Sequence, residues 1–314
     1  MINKRSCVTM DCVRKFLYAC DHEGFHKLTL ETFQNRWLPS HINLTHDVRN
    51  LVELCPRDIE FYKFLFTFLG MAEGLVNFNI TELLSHFSGH DFQHYYAEQV
   101  AMENVHAKTY ANILNLFFHG NVGDTYAYAE SVLADEALDA KIKWLNGRVH
   151  KADSRAEKVL IFLLVEGIFF TSSFYSIAVL RARGIMPGVC MANDYISRDE
   201  MMHMRAAAVL YKTMVPDVEK PPTVWIYNLF REAVNVEHQF IAAKGEGVTL
   251  VNVSDIRQYL EAMADRILAN IGLSALYGTE PPRACPLSYM GCVKNINFFE
   301  RESTDYSAAI VNDL

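Results

Sequence analysis

The chain has 314 residues, a formal charge of −8 and an apolar share of 51%. That is ample for one large core, and it excludes wholesale disorder, a coiled-coil rod and a collagen-like fibre. The acidic balance disfavours nucleic acid and anionic membrane as main partners, so no direct nucleic-acid binding is expected.

In chain order, the start MINKRSCVTMDCVRKF lacks the apolar run of a signal peptide. Residues 1–50 read as an irregular N-terminal arm. Helical periodicity then covers about 58–80, 94–119, 124–146, 155–183, 192–214, 222–243 and 252–275. Breakers fall between these segments: Asn121 and Gly123, then Gly184, Pro187 and Gly188, then Pro216, Pro221 and Pro222. Gly245 and Gly247 precede VTLVNV, a short β-prone piece. From about 278 the chain turns rich in Pro, Gly and polar residues, ending in RESTDYSAAIVNDL, which suits an exposed peptide. The expected fold is all-α: an arm over 1–50, a helical domain over 51–277 and a tail over 278–314. Cysteines stand at 7, 12, 20, 55, 190, 285 and 292, an odd number without a CxxC. A disulfide framework is not expected, and a reducing, intracellular setting fits better.

Residues 159–180, VLIFLLVEGIFFTSSFYSIAVL, are long enough to span a bilayer and carry one charge, Glu166. A membrane helix with a costly carboxylate competes with a helix buried on all sides in a soluble bundle. The other long periodic segments are amphipathic, which favours the buried helix. A carboxylate there needs a metal or a hydrogen-bonding partner.

Glu-x-x-His occurs at Glu103–His106 and again at Glu200–His203. Three residues apart, both side chains leave one helix face. A single such pair is weak evidence, since surface pairs and satisfied core histidines are common. Two isolated carboxylates strengthen it: Glu166, and Glu73 within FLFTFLGMAEGLVNFNI. Four carboxylates and two imidazoles on four helices make the ligand inventory of a carboxylate-bridged dimetal site. Four negative charges offset two nearby cations, and neutral imidazoles complete each shell. Such an oxygen-rich shell suits iron or manganese. The zinc-protease order HExxH is absent.

Tyr110 lies one turn after His106. It can be a hydrogen-bonded core residue, or it can donate an electron to the metals. Phe170, Phe174 and Ile196 can wall it, or simply pack. Asp199 can hold the far nitrogen of a ligating histidine or stand as a surface charge.

Several runs, AMENVHAKTY (101–110), VEGIFFTSSFYSIAVLRARGIMPG (165–188), ANDYISRDEMMH (192–203), NFFE (297–300) and YSAAIVNDL (306–314), resemble the small subunit of class I ribonucleotide reductase, particularly the herpesvirus type. The resemblance runs from about residue 34 to the end. It implies a ferritin-like bundle with extra helices, a homodimer, and two irons per chain, with manganese or a mixed pair left open. One iron would take Glu73, Glu103 and His106. The other would take Glu166, Glu200 and His203, with Glu103 among the bridges. Tyr110 would carry the radical, in a pocket of Phe170, Phe174 and Ile196. Asp199 would join the electron path, and Tyr306 would pass the radical on. Residues 306–314, with Val311 and Leu314 as anchors and Asp313 as the charged contact, would dock on the large subunit that reduces ribonucleoside diphosphates. Dioxygen and an external electron donor are the remaining partners. The setting implied is the host cytoplasm, in soluble form, with association to host membranes open.

Two departures stand out. Glu73 occupies a position where many relatives have aspartate. The pathway tryptophan is expected about eleven residues before Trp37, where this chain has His26 beside Phe25, which leaves Trp37 as a packing residue. A dimetal oxidase, a ferritin-like storage protein and a metal-free binding subunit are the rival functions.

Overall fold

The structure is a computed structural model that describes residues 17–288. Among these residues there are eleven α-helices and no strand. The helices are α1 (Glu23–Asn35), α2 (Asp47–Asn50), α3 (Pro56–Leu84), α4 (His90–Phe117), α5 (Val122–Leu133), α6 (Glu136–Lys151), α7 (Arg155–Gly167), α8 (Thr171–Ala182), α9 (Pro187–Thr213), α10 (Thr223–Gly245) and α11 (Val253–Asn270). Helix α3 lies along α4, α9 along α7 and α8, and α10 against α6 and α11. The all-α expectation holds. The β-prone VTLVNV forms no strand, because its Val248 amide turns back to Gly245 O instead of pairing with another segment. The arm is not wholly irregular: it carries α1, packed on α4 and α9.

Local chemistry sets the helix starts. Pro56 occupies the first turn of α3, where a missing amide costs nothing. The expected helix over 124–146 is two helices, because the Asp135 carboxylate accepts from the Ala137 and Leu138 amides and starts α6 afresh. Ser154 caps α7 through the Glu157 amide. Helix α9 opens on Pro187, and its Gly188 and Val189 amides donate to the buried Asp47 carboxylate at 3.1 and 3.0 Å.

The apolar stretch Arg155–Ala182 is long and apolar enough to cross a membrane, and its most apolar part is entirely buried within the protein. It is not one regular helix. The amides of Ile168 and Phe169 both donate to Leu164 O, at 2.9 and 3.1 Å, an interruption one residue wide. The Thr171 hydroxyl returns to Gly167 O at 2.9 Å. Buried Lys141 of α6 donates to Phe169 O at 2.7 Å and pairs with Glu237 of α10 at 2.6 Å. Glu237 in turn accepts from Ser172 on α8. The break directly follows Glu166, so it sets where α7 ends and how that carboxylate is presented.

Candidate metal centre

Four helices converge on one buried cluster: Glu73 from α3, Glu103 and His106 from α4, Glu166 from α7, and Glu200 and His203 from α9. None of these residues is more than 3% exposed. Two overlapping donor groups form, each with ligand atoms within 4.8 Å of one another. One is Glu73, Glu103, His106 and Glu200; the other is Glu103, Glu166, Glu200 and His203. Glu103 and Glu200 belong to both, the position bridging carboxylates require. His106 Nδ1 lies 3.1 Å from Glu103, 3.0 Å from Glu200 and 3.8 Å from Glu73. His203 Nδ1 lies 3.0 Å from Glu200, 3.1 Å from Glu103 and 3.9 Å from Glu166.

The cluster fits a metal pair on chemical grounds. Glu73 Oε2, Glu103 Oε2, Glu166 Oε2 and His106 Nδ1 are buried and lack an aligned hydrogen bond. Buried polar atoms rarely go unpaired, and four at one point mark a place for cations. The protonation pattern agrees. Burial lifts Glu73 and Glu166 well above the carboxylate range. At Glu103 and Glu200 burial acts the same way, but the His203 and His106 contacts outweigh it and hold both below that range. Burial lowers the two imidazoles, yet the surrounding carboxylates raise both strongly, so protonated rings balance the charge. Cations at the same spot would displace those protons.

Gln99, one turn before Glu103, donates to Glu103 Oε1 and Glu166 Oε1, each at 3.1 Å, and ties α4 to α7. Its i, i+4 spacing to Glu103 places it on the ligand face, but an uncharged amide gives no contrast with the surrounding sequence to mark it. Asp199 faces the far nitrogen of His106 at 3.2 Å. Burial works against its charge, but the bond to His106 and the Arg198 guanidinium keep the carboxyl below its usual range.

Trp37 corrects the expectation of a packing residue. Its indole N–H donates to Asp199 Oδ2 at 2.7 Å, and its ring stacks on His106 with centroids 6.0 Å apart. His26, which stands at the expected tryptophan position, instead meets Tyr18 and Asp91. No local spacing could reveal this, since Trp37 and Asp199 are 162 residues apart.

Tyr110 is buried, with Phe66 as its aromatic neighbour at 6.4 Å. Gly70 adjoins it: a Cβ there would sit 3.4 Å from the Tyr110 Cβ. Burial first, then the Glu73 charge, raise the phenol well above its ordinary pKa. Phe170, Phe174 and Ile196 are all buried. Phe170 touches Phe174 and Phe68 across 6.2 and 6.5 Å, and Phe174 shares a cavity of about 360 Å³ with Glu166 and Glu200. Tyr306 and the docking peptide 306–314 lie outside the described residues.

Residues 14–286 match the family model described as ribonucleotide reductase, small chain. The chain is 65% identical over 305 residues to the ribonucleoside-diphosphate reductase small subunit of equine herpesvirus 2, covering 97% of this chain and all of that protein. It is 60% identical over 300 residues to the protein of the same description in Epstein-Barr virus strain B95-8, covering 96% of this chain and 99% of the other. Among solved structures, the ribonucleotide reductase Rnr4 homodimer of Saccharomyces cerevisiae shares the fold, with a TM-score of 0.77 and 21% identity over 93% of this chain and 89% of that one.

Proposed function

Because the chain belongs to the ribonucleotide reductase small-chain family, as a small subunit of the herpesvirus type that acts with a large subunit, we propose that it is the radical-generating half of that enzyme. The observation that carries this is the pair of donor groups sharing Glu103 and Glu200, with Tyr110 one turn beyond His106 on α4. The oxygen-rich donors favour two irons, with manganese the nearest alternative. Iron bound there would supply the oxidising power, drawn from dioxygen and an external electron donor, to take one electron from Tyr110.

The protein's own groups do the rest. Gln99 holds Glu103 and Glu166 in place by one amide. Asp199 accepts from His106 Nε2, which fixes the tautomer that turns Nδ1 toward the metals. Tyr110 keeps its proton at rest, because burial first and the nearby Glu73 second raise its pKa. Burial of Tyr110, with Phe66 beside it and Phe170, Phe174 and Ile196 as the buried apolar wall, excludes water and reductants from the radical. His106, Asp199 and Trp37 form one hydrogen-bonded line out of the centre, the route for the electron. Tyr306 passes the radical on to the large subunit, so that the electron itself moves inward to Tyr110, and residues 306–314 dock there, with the small subunit acting as a homodimer in the host cytoplasm. The chain binds no nucleotide itself.

The test is electron paramagnetic resonance after adding iron(II) and air to metal-free protein. A tyrosyl signal is expected in the wild type and not in Tyr110→Phe, with equal iron uptake by both. A fully loaded wild type with the spectrum of Tyr110→Phe would overturn the assignment.

A further inference from the structure

A second set of metal-ligating side chains gathers at the start of α4 and uses none of the dimetal ligands. Cys20 comes from the arm, His26 from α1 and Asp91 from the first turn of α4, and their donor atoms all lie within 4.8 Å of one another. Tyr18 adds a fourth donor. Its hydroxyl donates to Asp91 Oδ1 at 2.8 Å and meets His26 Nδ1 at 3.0 Å. His26 Nδ1 and Asp91 Oδ1 are 3.6 Å apart, too far for a hydrogen bond between them.

The Tyr18 hydroxyl, His26 Nδ1 and Asp91 Oδ1 lie 2.8–3.6 Å from one another, and the Cys20 sulfur joins His26 and Asp91 within 4.8 Å. One ion can reach donors that close together at roughly 2.0–2.3 Å, the bond lengths of zinc to oxygen, nitrogen and sulfur. One sulfur, one nitrogen and carboxylate or phenol oxygen suit zinc rather than magnesium or calcium, which want six or more oxygens.

The donors are also held for the purpose. Asp91 is 1% exposed, and its Oδ2 accepts from the Asp21 and His22 amides at 2.7 and 2.9 Å. Asp21 returns the contact, capping the His90 and Asp91 amides at 2.7 and 3.0 Å. The carboxylate is thus oriented by outer partners, with Oδ1 turned to the cluster. Burial opposes its charge, but the backbone bonds and Tyr18 hold it far below the usual carboxylate range, ionised as a ligand must be. Cys20 is exposed, so an ion can reach the site from solvent.

We propose that Cys20, His26 and Asp91, with Tyr18 or water in the fourth position, form a mononuclear site for a zinc-class divalent cation that clamps the N-terminal arm to the start of α4. A thiol is protonated at neutral pH and ligates as the thiolate, so binding releases that proton.

Cobalt(II) tests this, because a sulfur-to-cobalt charge-transfer band in the near ultraviolet appears only when a thiolate ligates, and the dimetal centre has no sulfur. The full chain, with its dimetal centre filled by iron(II) under anaerobic conditions, is titrated with cobalt(II). The band should saturate at about one equivalent per chain, release about one proton, and bleach on adding zinc. Cys20→Ser should abolish the band. His26→Ala should keep it but weaken cobalt binding by at least ~10-fold, the lower bound for losing even an outer partner of a site. Neither change touches the bonds between Asp91 and the backbone, so circular dichroism and the uptake of two irons should match the wild type. No band in the wild type, a band that survives Cys20→Ser, or unchanged affinity in His26→Ala would each overturn the proposal.

Discussion

Lys141→Met removes the ammonium that bridges three helices while keeping much of its stem. Lys141 Nζ lies 2.6 Å from Glu237 and 2.7 Å from Phe169 O, and 4.3–4.4 Å from the ring centres of Phe240 and Phe68. Glu237 is fully buried. Stripping one partner from a buried pair costs about 3–5 kcal/mol, because the other is left without its counter-charge. Burial already raises Glu237 above the usual carboxyl range against the pull of Lys141. Without that pull it folds as the neutral acid. The native variant then holds a proton that the unfolded chain gives up above about pH 4.3. With one more proton on the native side, stability relative to the wild type falls about 1.4 kcal/mol per pH unit, until the folded pKa is passed. Urea unfolding of metal-free protein at about pH 5.5 and about pH 7.5 should therefore show the larger deficit at the higher pH, by up to about 2.7 kcal/mol. Glu237→Gln placed in the same variant should flatten that slope. A deficit under about 1 kcal/mol, or one that does not change with pH, would refute the reasoning.

Two further outcomes follow. Trp37→Phe deletes the hydrogen bond to Asp199, worth about 1.5–3 kcal/mol for a charged acceptor. It should leave iron uptake and the Tyr110 signal in place while nucleotide reduction with the large subunit falls to background; undiminished turnover would remove Trp37 from the route. Gly188→Ala would put a Cβ 2.2 Å from Asn43 O and 2.5 Å from Asp47 Oδ2. Backbone must move, so thermal unfolding should show a loss of about 1–3 kcal/mol or more, and an unchanged melting temperature would contradict the packing described.

The ligand set was legible in the chain because its signals are local. A helix puts residues three apart on one face wherever it sits, so Glu103–His106 and Glu200–His203 declare themselves without tertiary information. Glu73 and Glu166 show by contrast, single charges in apolar runs that a core would not otherwise accept. The same logic gave most of the helices. It failed at Asp135, whose capping splits an apparently continuous pattern, and after Gly167, where Lys141 stabilises a break inside uniformly apolar sequence.

Sequence by itself therefore determined the fold class, the metal-ligand inventory and, through its resemblance, the family. Only the tertiary structure decided which carboxylates are shared, that Gln99 ties two of them together, that Trp37 rather than a residue near position 26 meets Asp199, and that Cys20, His26 and Asp91 meet at all. Spacing along one helix is dictated by backbone geometry. Contacts between helices far apart in the chain depend on how their apolar faces pack, and no local pattern encodes that packing.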